Sequence, residues 1–519
     1  MTKRPNFLFI MTDQQRADWL GCAGHPVVKT PHIDALAARG TRFENFFAAS
    51  PVCMPNRASF MTGRYPSVNG ARYNGCSLPL RANTFVDVLA AAGYRTASIG
   101  KSHLQPLTDV PPKIPAPETG PIAEAWKADG GDYTLEEPSR YQPTTPYDFP
   151  VPYYGFQHVD MVTGHGDRAG GHYQQWFRAT HPDWQALTDP ANELPHNYSC
   201  PQAYRTPIPE DSYPTAYVRD RAIDYLRANA GGEAPLFTYV SFPDPHHPFN
   251  PPGRYWDMYD PEDFDIPRPY AAHRNPPPPL RALRAAYEAR APHGAPTSGV
   301  MISDRQVQEA MALTAGMITM IDDAVGALID CLRETGQLEN TVIVYNADHG
   351  DYLGDYNLLL KGPWAAEAIN RVPMIWSDPG AAQGMVSQAL GSTVDLSATI
   401  LERAGVKPYN GMQGRSLLPC LDGAGTVRDS LLIEYNGAMA QMGFDGPSRV
   451  RSVMTADWQL SLYGGEDWGE LYDRHATPLQ GQNLWDDPAH AERRLALTQD
   501  LAQHLIAQMD RSPGTTRLA

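Results

Sequence analysis

Short apolar segments alternate with helix patterns along the first third of the chain, and this alternation limits the possible folds more than any other feature. The predicted strands are Phe7–Met11, Thr41–Ala48 and Tyr94–Ile99. Between them, Thr30–Gly40 and Thr84–Ala92 have the spacing of helices, the first with Thr30 as N-cap and Gly40 just past its end. This order predicts an α/β fold with a large mixed, mostly parallel sheet sandwiched by helices.

The alternation resumes in the second half of the chain. The further predicted elements are the helix Tyr217–Arg227, the strand Leu236–Phe242, the amphipathic helix Gln306–Glu334, the strands Thr341–Tyr345 and Val372–Trp376, and the helix Asp395–Ala404. Residues from about Gln105 to Pro214 show poor periodicity, which predicts long surface loops over a binding face. The Pro-rich stretch Pro267–Pro296 predicts a loop or a projecting arm, which would suit a homo-oligomer.

The composition shifts near Gly425. Three short antiparallel strands are predicted at Leu431–Tyr435, Ser448–Met454 and Trp458–Tyr463, followed by a closing helix at Ala489–Met509. We therefore predict two domains: a large one over residues 1–422, and a small α+β domain with a short antiparallel sheet over residues 423–519.

Charge and hydropathy exclude some partners. The 519 residues carry a formal net charge of -16, which argues against nucleic acid because that partner needs a basic surface. No run approaches the roughly 20 apolar residues that span a bilayer, and the first apolar run is too short for a secretory signal. We expect a cytoplasmic protein with no membrane partner. Its six cysteines show no paired spacing, so a disulfide framework is not expected.

Polar residues follow two of the predicted strands at the point where each ends. Asp13 and Gln14 come after the first strand, and Asp348 and His349 come after the strand that ends at Tyr345. The carboxyl ends of parallel strands converge on one crevice, where oxygen ligands and one imidazole could hold a divalent cation. A cap or turn role is the more frequent explanation for any one of these residues alone. The pairing of two strand ends favours the metal site.

One cysteine, Cys53, has an unusual local setting. Residues Asn56–Thr62 can form a short helix that Gly63 ends, which places Cys53 just before a helix N-terminus. Backbone N–H groups and the helix dipole favour an anion at such a position. On these residues alone, a buried cysteine without chemistry is about as good an explanation.

Several segments match known signatures in the same order along the chain. They are Cys53–Arg57, of the form C-x-P-x-R, with the following Ala58–Gly63, of the form A-S-x-x-T-G; then Gly93–His103, Ser241–Phe249, Asn346–Gly350, Leu360–Gly362 and Gly469–Asp473. The series resembles the type I sulfatases, a formylglycine-dependent family of the alkaline phosphatase superfamily. Many members have an acidic residue and an Asn where this chain has Gln14 and His349. These departures resemble a branch with choline sulfatases, arylsulfatases and phosphonate monoester hydrolases.

The resemblance implies a modified nucleophile and a metal. In that family the cysteine at the position of Cys53 is oxidised to formylglycine, so a formylglycine-generating machinery would be a partner during maturation. One divalent ion, Ca²⁺ or Mn²⁺, would be held by the residue derived from Cys53 together with Asp13, Gln14, Asp348 and His349. An imidazole ligand favours manganese or another transition ion.

The resemblance also implies the catalytic roles. Arg57 and Lys101 would stabilise the hydrated aldehyde, and Lys101, His246 and Lys361 would bind the sulfuryl oxygens. His103 would be the base for sulfate release, and His246 or Lys361 the acid for the leaving oxygen.

The predicted function is that of an enzyme, a sulfuric ester hydrolase acting on a small anionic sulfate monoester. Asn74 is a further predicted substrate contact, whereas His247 is predicted to be structural. The alternative is a phosphonate monoester or phosphate diester hydrolase with the same nucleophile, since those esters carry the same single charge. Lys101 and His103 are intact, which resembles sulfatases more than phosphonate-cleaving enzymes. A non-catalytic metal-binding protein is the weakest alternative.

Overall fold

The computed structural model of the protein describes residues 4–112, 119–142, 145–292, 298–476 and 479–518. Its strands, in chain order, are β1 Asn6–Thr12, β2 Thr41–Phe43, β3 Phe46–Phe47, β4 Arg95–Gly100, β5 His158–Thr163, β6 Gly170–Gly171, β7 Leu236–Ser241, β8 Val300–Met301, β9 Thr341–Ala347, β10 Leu358–Leu359, β11 Met374–Ser377, β12 Met385–Ser387, β13 Gly391–Ser392, β14 Ser430–Asn436, β15 Arg449–Thr455, β16 Trp458–Tyr463 and β17 Gly469–Asp473.

A nine-stranded sheet in the order β12-β2-β11-β9-β1-β7-β4-β5-β6 forms the centre of the molecule. Strands β9, β1, β7, β4 and β5 run parallel, whereas β11 and β6 are antiparallel to the strands beside them. The predicted α/β fold with a mixed, mostly parallel sheet is therefore confirmed.

Helices cover both faces of this sheet. The helices of the described residues, in chain order and including those outside this sheet, are α1 Pro31–Ala38, α2 Cys53–Thr62, α3 Pro66–Asn69, α4 Phe85–Ala91, α5 His172–Thr180, α6 Trp184–Thr188, α7 Pro214–Ala228, α8 Pro278–Glu288, α9 Asp304–Glu334, α10 Glu367–Asn370, α11 Thr393–Arg403 and α12 Ala491–Ala507. Leu8 and Ile10 of β1 lie in an apolar cluster with α7 and α9, whereas Phe9 and Met11 lie in another with α2 and α11. Both faces are buried, which explains why β1 is continuously apolar.

A second sheet belongs to the C-terminal domain. Strands β14, β15, β16 and β17 pair antiparallel in chain order. Leu497 and Leu501 of α12 are buried in one apolar cluster with Val453 and Leu460 of this sheet. The predicted α+β character is confirmed, with β17 as a strand that the sequence pattern did not predict. The boundary at residue 422 stays a prediction.

The prediction of surface loops from Gln105 to Pro214 is wrong in part. This region adds β5 and β6 to the central sheet and contributes α5 and α6. Tyr141 and Tyr153 from it are buried, and Tyr141 Oη donates to Leu135 O at 2.8 Å. In this part of the core, the buried side chains are often tyrosines, whose hydroxyls form hydrogen bonds, where other regions have aliphatic residues. No aliphatic period therefore marks this part of the core.

The Pro-rich stretch is not a projecting arm over its described part. Helix α8 begins at Pro278, in a first turn where a missing N–H costs nothing. Leu280 and Leu283 pack it into an apolar cluster with Trp364. Residues 293–296 of the predicted arm lie outside the described residues.

One further element differs from its prediction. The single strand expected at Thr41–Ala48 is divided into β2 and β3, which belong to different sheets.

The helix predicted at Gln306–Glu334 is confirmed as α9. Helix α9 is the one helix, in the parts of the chain that the structure covers, with the length and hydropathy to cross a membrane. Its most apolar window is 83% buried inside the protein, where the helix packs against α1 and α7. A helix in the core of a protein can have the same length and hydropathy as a membrane-spanning helix.

Candidate active site

Strands β9, β1, β7 and β4 are neighbours, and their carboxyl ends meet at one edge of the central sheet. Asp348, Asp13 and Lys101 are the first residues beyond β9, β1 and β4. The N–H of Asp348 donates to Thr12 O at 3.1 Å, and the N–H of Lys101 donates to Ser241 O at 2.9 Å. Backbone pairing therefore continues up to these residues and fixes where their side chains begin.

Helix α2 brings Cys53 to the same edge. The helix begins at Cys53, with extended Val52 as its N-cap. The prediction that Cys53 precedes the helix is therefore wrong, since the cysteine is its first residue. The earlier start is possible because Pro55 is tolerated in a first turn. Cys53 is buried, with its Sγ 3.0 Å from His349 Nε2 and 3.6 Å from Asp13 Oδ1.

Arg57, one turn along α2, joins the two aspartates. Its Nε donates to Asp348 Oδ2 at 2.8 Å, and its Nη2 lies 3.3 Å from Asp13 Oδ2. Its Nη1 donates to Lys101 O at 2.7 Å and to Ser241 Oγ at 2.8 Å. All three charged side chains have no exposed surface. Each buried charge is thus paired, which is the condition for burying it at all.

Lys361 reaches the group from the segment after β10. Its Nζ lies 2.7 Å from Gln14 Oε1, 3.1 Å from His349 Nε2, 3.2 Å from His246 Nε2 and 3.6 Å from Cys53 Sγ. An ammonium in this position can bind an anion beside Cys53.

His165 is a residue of the site that the sequence analysis missed. Its ring stacks on that of His246 with centroids 3.5 Å apart. Its Nε2 lies 2.5 Å from Lys101 Nζ and 3.6 Å from Asp13 Oδ2, and Lys101 Nζ also contacts Asp13. The only available signal was a polar residue just past a strand, and that strand, β5, was itself not predicted.

The titratable groups Asp13, Cys53 and His349 of the site are all buried, and their neighbours decide which of them are ionised. Burial alone raises the pKa of Asp13, but the neighbouring cations, Lys101 first, outweigh it and hold that pKa well below its usual range. Burial lowers the pKa of His349 to about 4, so its imidazole is neutral. Burial, with Asp13 adding to it, raises the pKa of the Cys53 thiol to about 11. The unmodified thiol is therefore protonated at neutral pH and a poor nucleophile.

The donor set fits a divalent cation. Asp13, Cys53, Asp348 and His349 are all buried, and each offers a ligand atom within 4.8 Å of the others. The Nδ1 of His349 lies 2.8 Å from Gly350 O, which leaves the Nε2 lone pair directed at the group. Two carboxylates and a neutral imidazole suit a divalent ion, and the Cys53 Sγ stands where a modified residue would place oxygen.

Gln14 lies beside this group in the left-handed region, with φ of 63°. Its N–H donates to Asp348 Oδ1 at 3.1 Å, its Oε1 faces Lys361, and its Nε2 donates to Asp351. Its role as a metal ligand stays a prediction. His247 Nδ1 lies 3.1 Å from the same Nε2, which agrees with a structural role for His247.

His103 and Asn74 have different settings. His103 is buried with φ of 54°, and its Nδ1 has no hydrogen-bond partner in the described part of the chain. Asn74 is exposed, and its Oδ1 accepts from the N–H of Met54 at 3.2 Å, near the start of α2. Its contact with substrate stays a prediction.

Comparison with protein-family models gives matches that together cover most of the chain. The family described as Sulfatase matches residues 5–406, and the one described as N-sulphoglucosamine sulphohydrolase, C-terminal, matches residues 359–507. The chain therefore belongs to the sulfatase family of the alkaline phosphatase superfamily. It is a sulfuric ester hydrolase, and this family generally uses formylglycine and a divalent metal.

Relatives extend over nearly the whole chain. The multifunctional alkaline phosphatase superfamily protein PehA of Trinickia caryophylli is 27% identical, over 97% of this chain and 95% of its own length. An arylsulfatase of Clostridium perfringens is also 27% identical, over 94% of this chain and 92% of its own. The structure of a phosphonate monoester hydrolase of Agrobacterium radiobacter superimposes with a TM-score of 0.78 at 24% identity, covering 99% and 98% of the two chains. This last likeness shows the shared fold.

Proposed function

We propose that the protein is an arylsulfatase-like hydrolase of small sulfate monoesters whose nucleophile is a formylglycine made from Cys53. One observation carries the proposal: the Cys53 Sγ lies 3.0 Å from His349 Nε2 and 3.6 Å from both Asp13 Oδ1 and Lys361 Nζ. Residue 53 thus lies between a metal-type donor set and the Lys361 ammonium, where a nucleophile meets an anionic ester.

The metal and the formylglycine would have defined places. Asp13, Asp348, His349 and Gln14 would hold the metal with residue 53, and the ion supplies a Lewis acid that lowers the pKa of a bound oxygen. Formylglycine supplies a hydrated aldehyde in place of a protonated thiol. One neutral imidazole beside two carboxylates favours Mn²⁺ over Ca²⁺.

The cationic side chains divide the remaining work. Lys101 and Lys361 face the group from two sides and bind the oxygens of the ester, where negative charge gathers during the reaction. Arg57 does not need to touch the substrate, because its guanidinium holds Asp13 and Asp348 in place.

A proton for the leaving oxygen is available from Lys361. His246 Nδ1 lies 2.6 Å from His247 O, which leaves its Nε2 as an acceptor facing Lys361 Nζ at 3.2 Å. Burial, with His165 adding to it, lowers the pKa of His246 well below its usual range, so this ring carries no spare proton. The proton therefore passes from Lys361 directly or by way of His246.

Hydrolysis of phosphonate monoesters or phosphate diesters is the second candidate. Gln14 in place of a second acidic residue makes the metal site less anionic, and one relative is described as multifunctional. Rates on an aryl sulfate and a phenyl phosphonate ester, measured in parallel, decide between the two. A much larger kcat/KM for the phosphonate would overturn our choice.

The nucleophile is tested by mass spectrometry of the peptide that contains Cys53. Conversion to formylglycine lowers its mass by about 18 Da. The peptide with Cys331, another buried cysteine, is the control and keeps its mass. An intact thiol at residue 53 in fully active protein would exclude the proposed nucleophile.

The metal is tested by chelation. We expect EDTA to abolish turnover and Mn²⁺ to restore more of it than Ca²⁺. A free metal concentration of 100 times Kd stabilises the folded protein by about 2.7 kcal/mol, so chelation should lower the melting temperature. Full activity of protein shown to be metal-free by elemental analysis would contradict the proposal.

We also propose a cytoplasmic location, with maturation by a formylglycine-generating partner there. The free state of all six cysteines supports a reducing compartment. We also propose that copies of this chain form a homo-oligomer, although the projecting arm that first suggested it is not present in the described residues. Light scattering of the purified protein tests it.

A further inference from the structure

Glu136 is a fully buried carboxylate outside every motif that the sequence analysis used. Its Oε2 accepts from the N–H of His103 at 2.8 Å. Its Oε1 accepts from the N–H groups of Leu104 at 2.9 Å and Gln105 at 3.1 Å. One side chain therefore binds three consecutive backbone donors, of which the first belongs to the predicted base.

A fourth donor completes the setting. Tyr153 Oη donates to Glu136 Oε1 at 2.6 Å, and Tyr153 is itself buried. Burial raises the pKa of Glu136, and the hydrogen bonds from Tyr153 and the three N–H groups only partly offset this rise. All four partners donate, so the bonded form is the carboxylate.

The segment that Glu136 binds needs such support. His103 has φ of 54°, a left-handed conformation that a non-glycine residue keeps only where its surroundings fix it. Its ring Nδ1 has no partner among the described residues, so no hydrogen bond to that atom orients the ring. The hydrogen bond from the His103 N–H to Glu136 Oε2 therefore restrains this residue through its backbone.

We propose that Glu136 is a positioning residue that holds His103 where it acts on the bound ester. The inference rests on the proposed role of His103 as the base for sulfate release. Glu136 reaches this base across the fold from the region first expected to be surface loops. It acts through the backbone and touches no reacting atom.

The substitution Glu136→Gln tests this contact selectively. An amide has one acceptor oxygen, and the three donors at Oε1 will claim it. Its NH2 group then faces the N–H of His103, so two donors meet and that one bond is lost. Tyr153→Phe is the matched control, because it removes one donor to Glu136 and leaves the three backbone bonds in place.

We expect Glu136→Gln to lower kcat about tenfold or more with KM changed less than about threefold. Backbone hydrogen exchange of the peptide that covers residues 102–105 should rise by about tenfold or more, with other peptides unchanged. Tyr153→Phe should change both quantities less. Unchanged kcat and exchange, or a rise in exchange throughout the protein, would overturn the proposal. If Glu136→Gln does not fold, Glu136→Asp replaces it, and a wild-type kcat with wild-type exchange at 102–105 again overturns the proposal.

His103→Ala separates this inference from the proposed function. Full activity of His103→Ala would show that His103 is not the base, and with it the positioning role of Glu136 would fail. A strong loss in His103→Ala with none in Glu136→Gln would overturn the role of Glu136 alone. Both readouts use the full-length protein, and hydrogen exchange can be measured whether or not formylglycine and metal are present.

Discussion

The crevice at the sheet edge and the interior of the C-terminal sheet each bury a carboxyl group completely, but in opposite charge states. Asp13 in the crevice lies beside Lys101 and Arg57 and is ionised, with its pKa well below the usual range. Glu470 in β17 has the hydroxyls of Tyr463, at 3.1 Å, and Tyr472, at 3.5 Å, as its partners. Burial raises the pKa of Glu470 to about 8.

The difference shows that burial alone does not decide the charge of a carboxyl group. Burial raises the pKa of both groups, and only the crevice supplies cations to reverse the effect. No ion pair to Glu470 exists in the described ranges. The crevice maintains a costly set of paired charges because its chemistry needs them, whereas the C-terminal sheet avoids the cost by keeping its carboxyl protonated.

The largest effect should come from removing the nucleophile of the crevice. Cys53→Ala should lower kcat by about 10⁴-fold or more, since removal of a nucleophile abolishes the covalent route. The melting temperature should change little. Initial rates on an aryl sulfate measure the loss, with Cys331→Ala as the control for a buried cysteine away from the crevice. Activity in Cys53→Ala above one tenth of wild type would contradict the site.

The next effect tests whether the cations of the crevice serve catalysis. Lys101→Ala removes the ammonium beside Asp13 and should lower kcat/KM by about 10²–10³-fold. Lys407→Ala, at an exposed lysine, is the matched control and should leave kcat/KM unchanged. Equal kinetics for the two variants would mean that Lys101 only balances charge.

The smallest effect concerns the C-terminal sheet and stability alone. A carboxyl with a raised folded pKa stabilises most below its unfolded pKa of 4.5 and loses this contribution as pH rises toward about 8. At face value the loss is on the order of 4 kcal/mol. The glutamine side chain of the Glu470→Gln variant is neutral at every pH, so the variant does not lose this stability. The melting temperature of the variant minus that of wild type should therefore increase from pH 5 to pH 8, with kcat unchanged. A difference that does not vary with pH would show that Glu470 is ionised in the folded protein.

Much of the fold was predictable from local patterns. Phe7–Met11 and Thr341–Tyr345 are strands because continuous apolar runs of that length belong in a sheet covered on both faces. Their polar ends predicted that Asp13 and Asp348 would meet, and the structure places both beside Cys53. The roles of Lys101 and Lys361 came from motif resemblance, because an isolated lysine carries no local signal.

Other features had no local signal to follow. His165 and Glu136 lie in the region from Gln105 to Pro214, where aromatic rings form much of the core and the sequence shows poor periodicity. The expected arm at Pro267–Pro296 was wrong because prolines at a helix start and prolines in a loop look alike in sequence. Helix α8 was decided by where Leu280 and Leu283 could be buried.

The sequence by itself determined the main strands of the sheet and the polar strand ends that converge, since each follows from residues close together along the chain, and its family resemblance singled out Cys53. Only the tertiary structure decided which cations pair with Asp13, that Glu470 has none, and that Glu136 holds the backbone at His103. The physical reason is distance along the chain. A pKa or a hydrogen bond depends on which groups fold into contact, and those partners come from strands and loops that no local pattern connects.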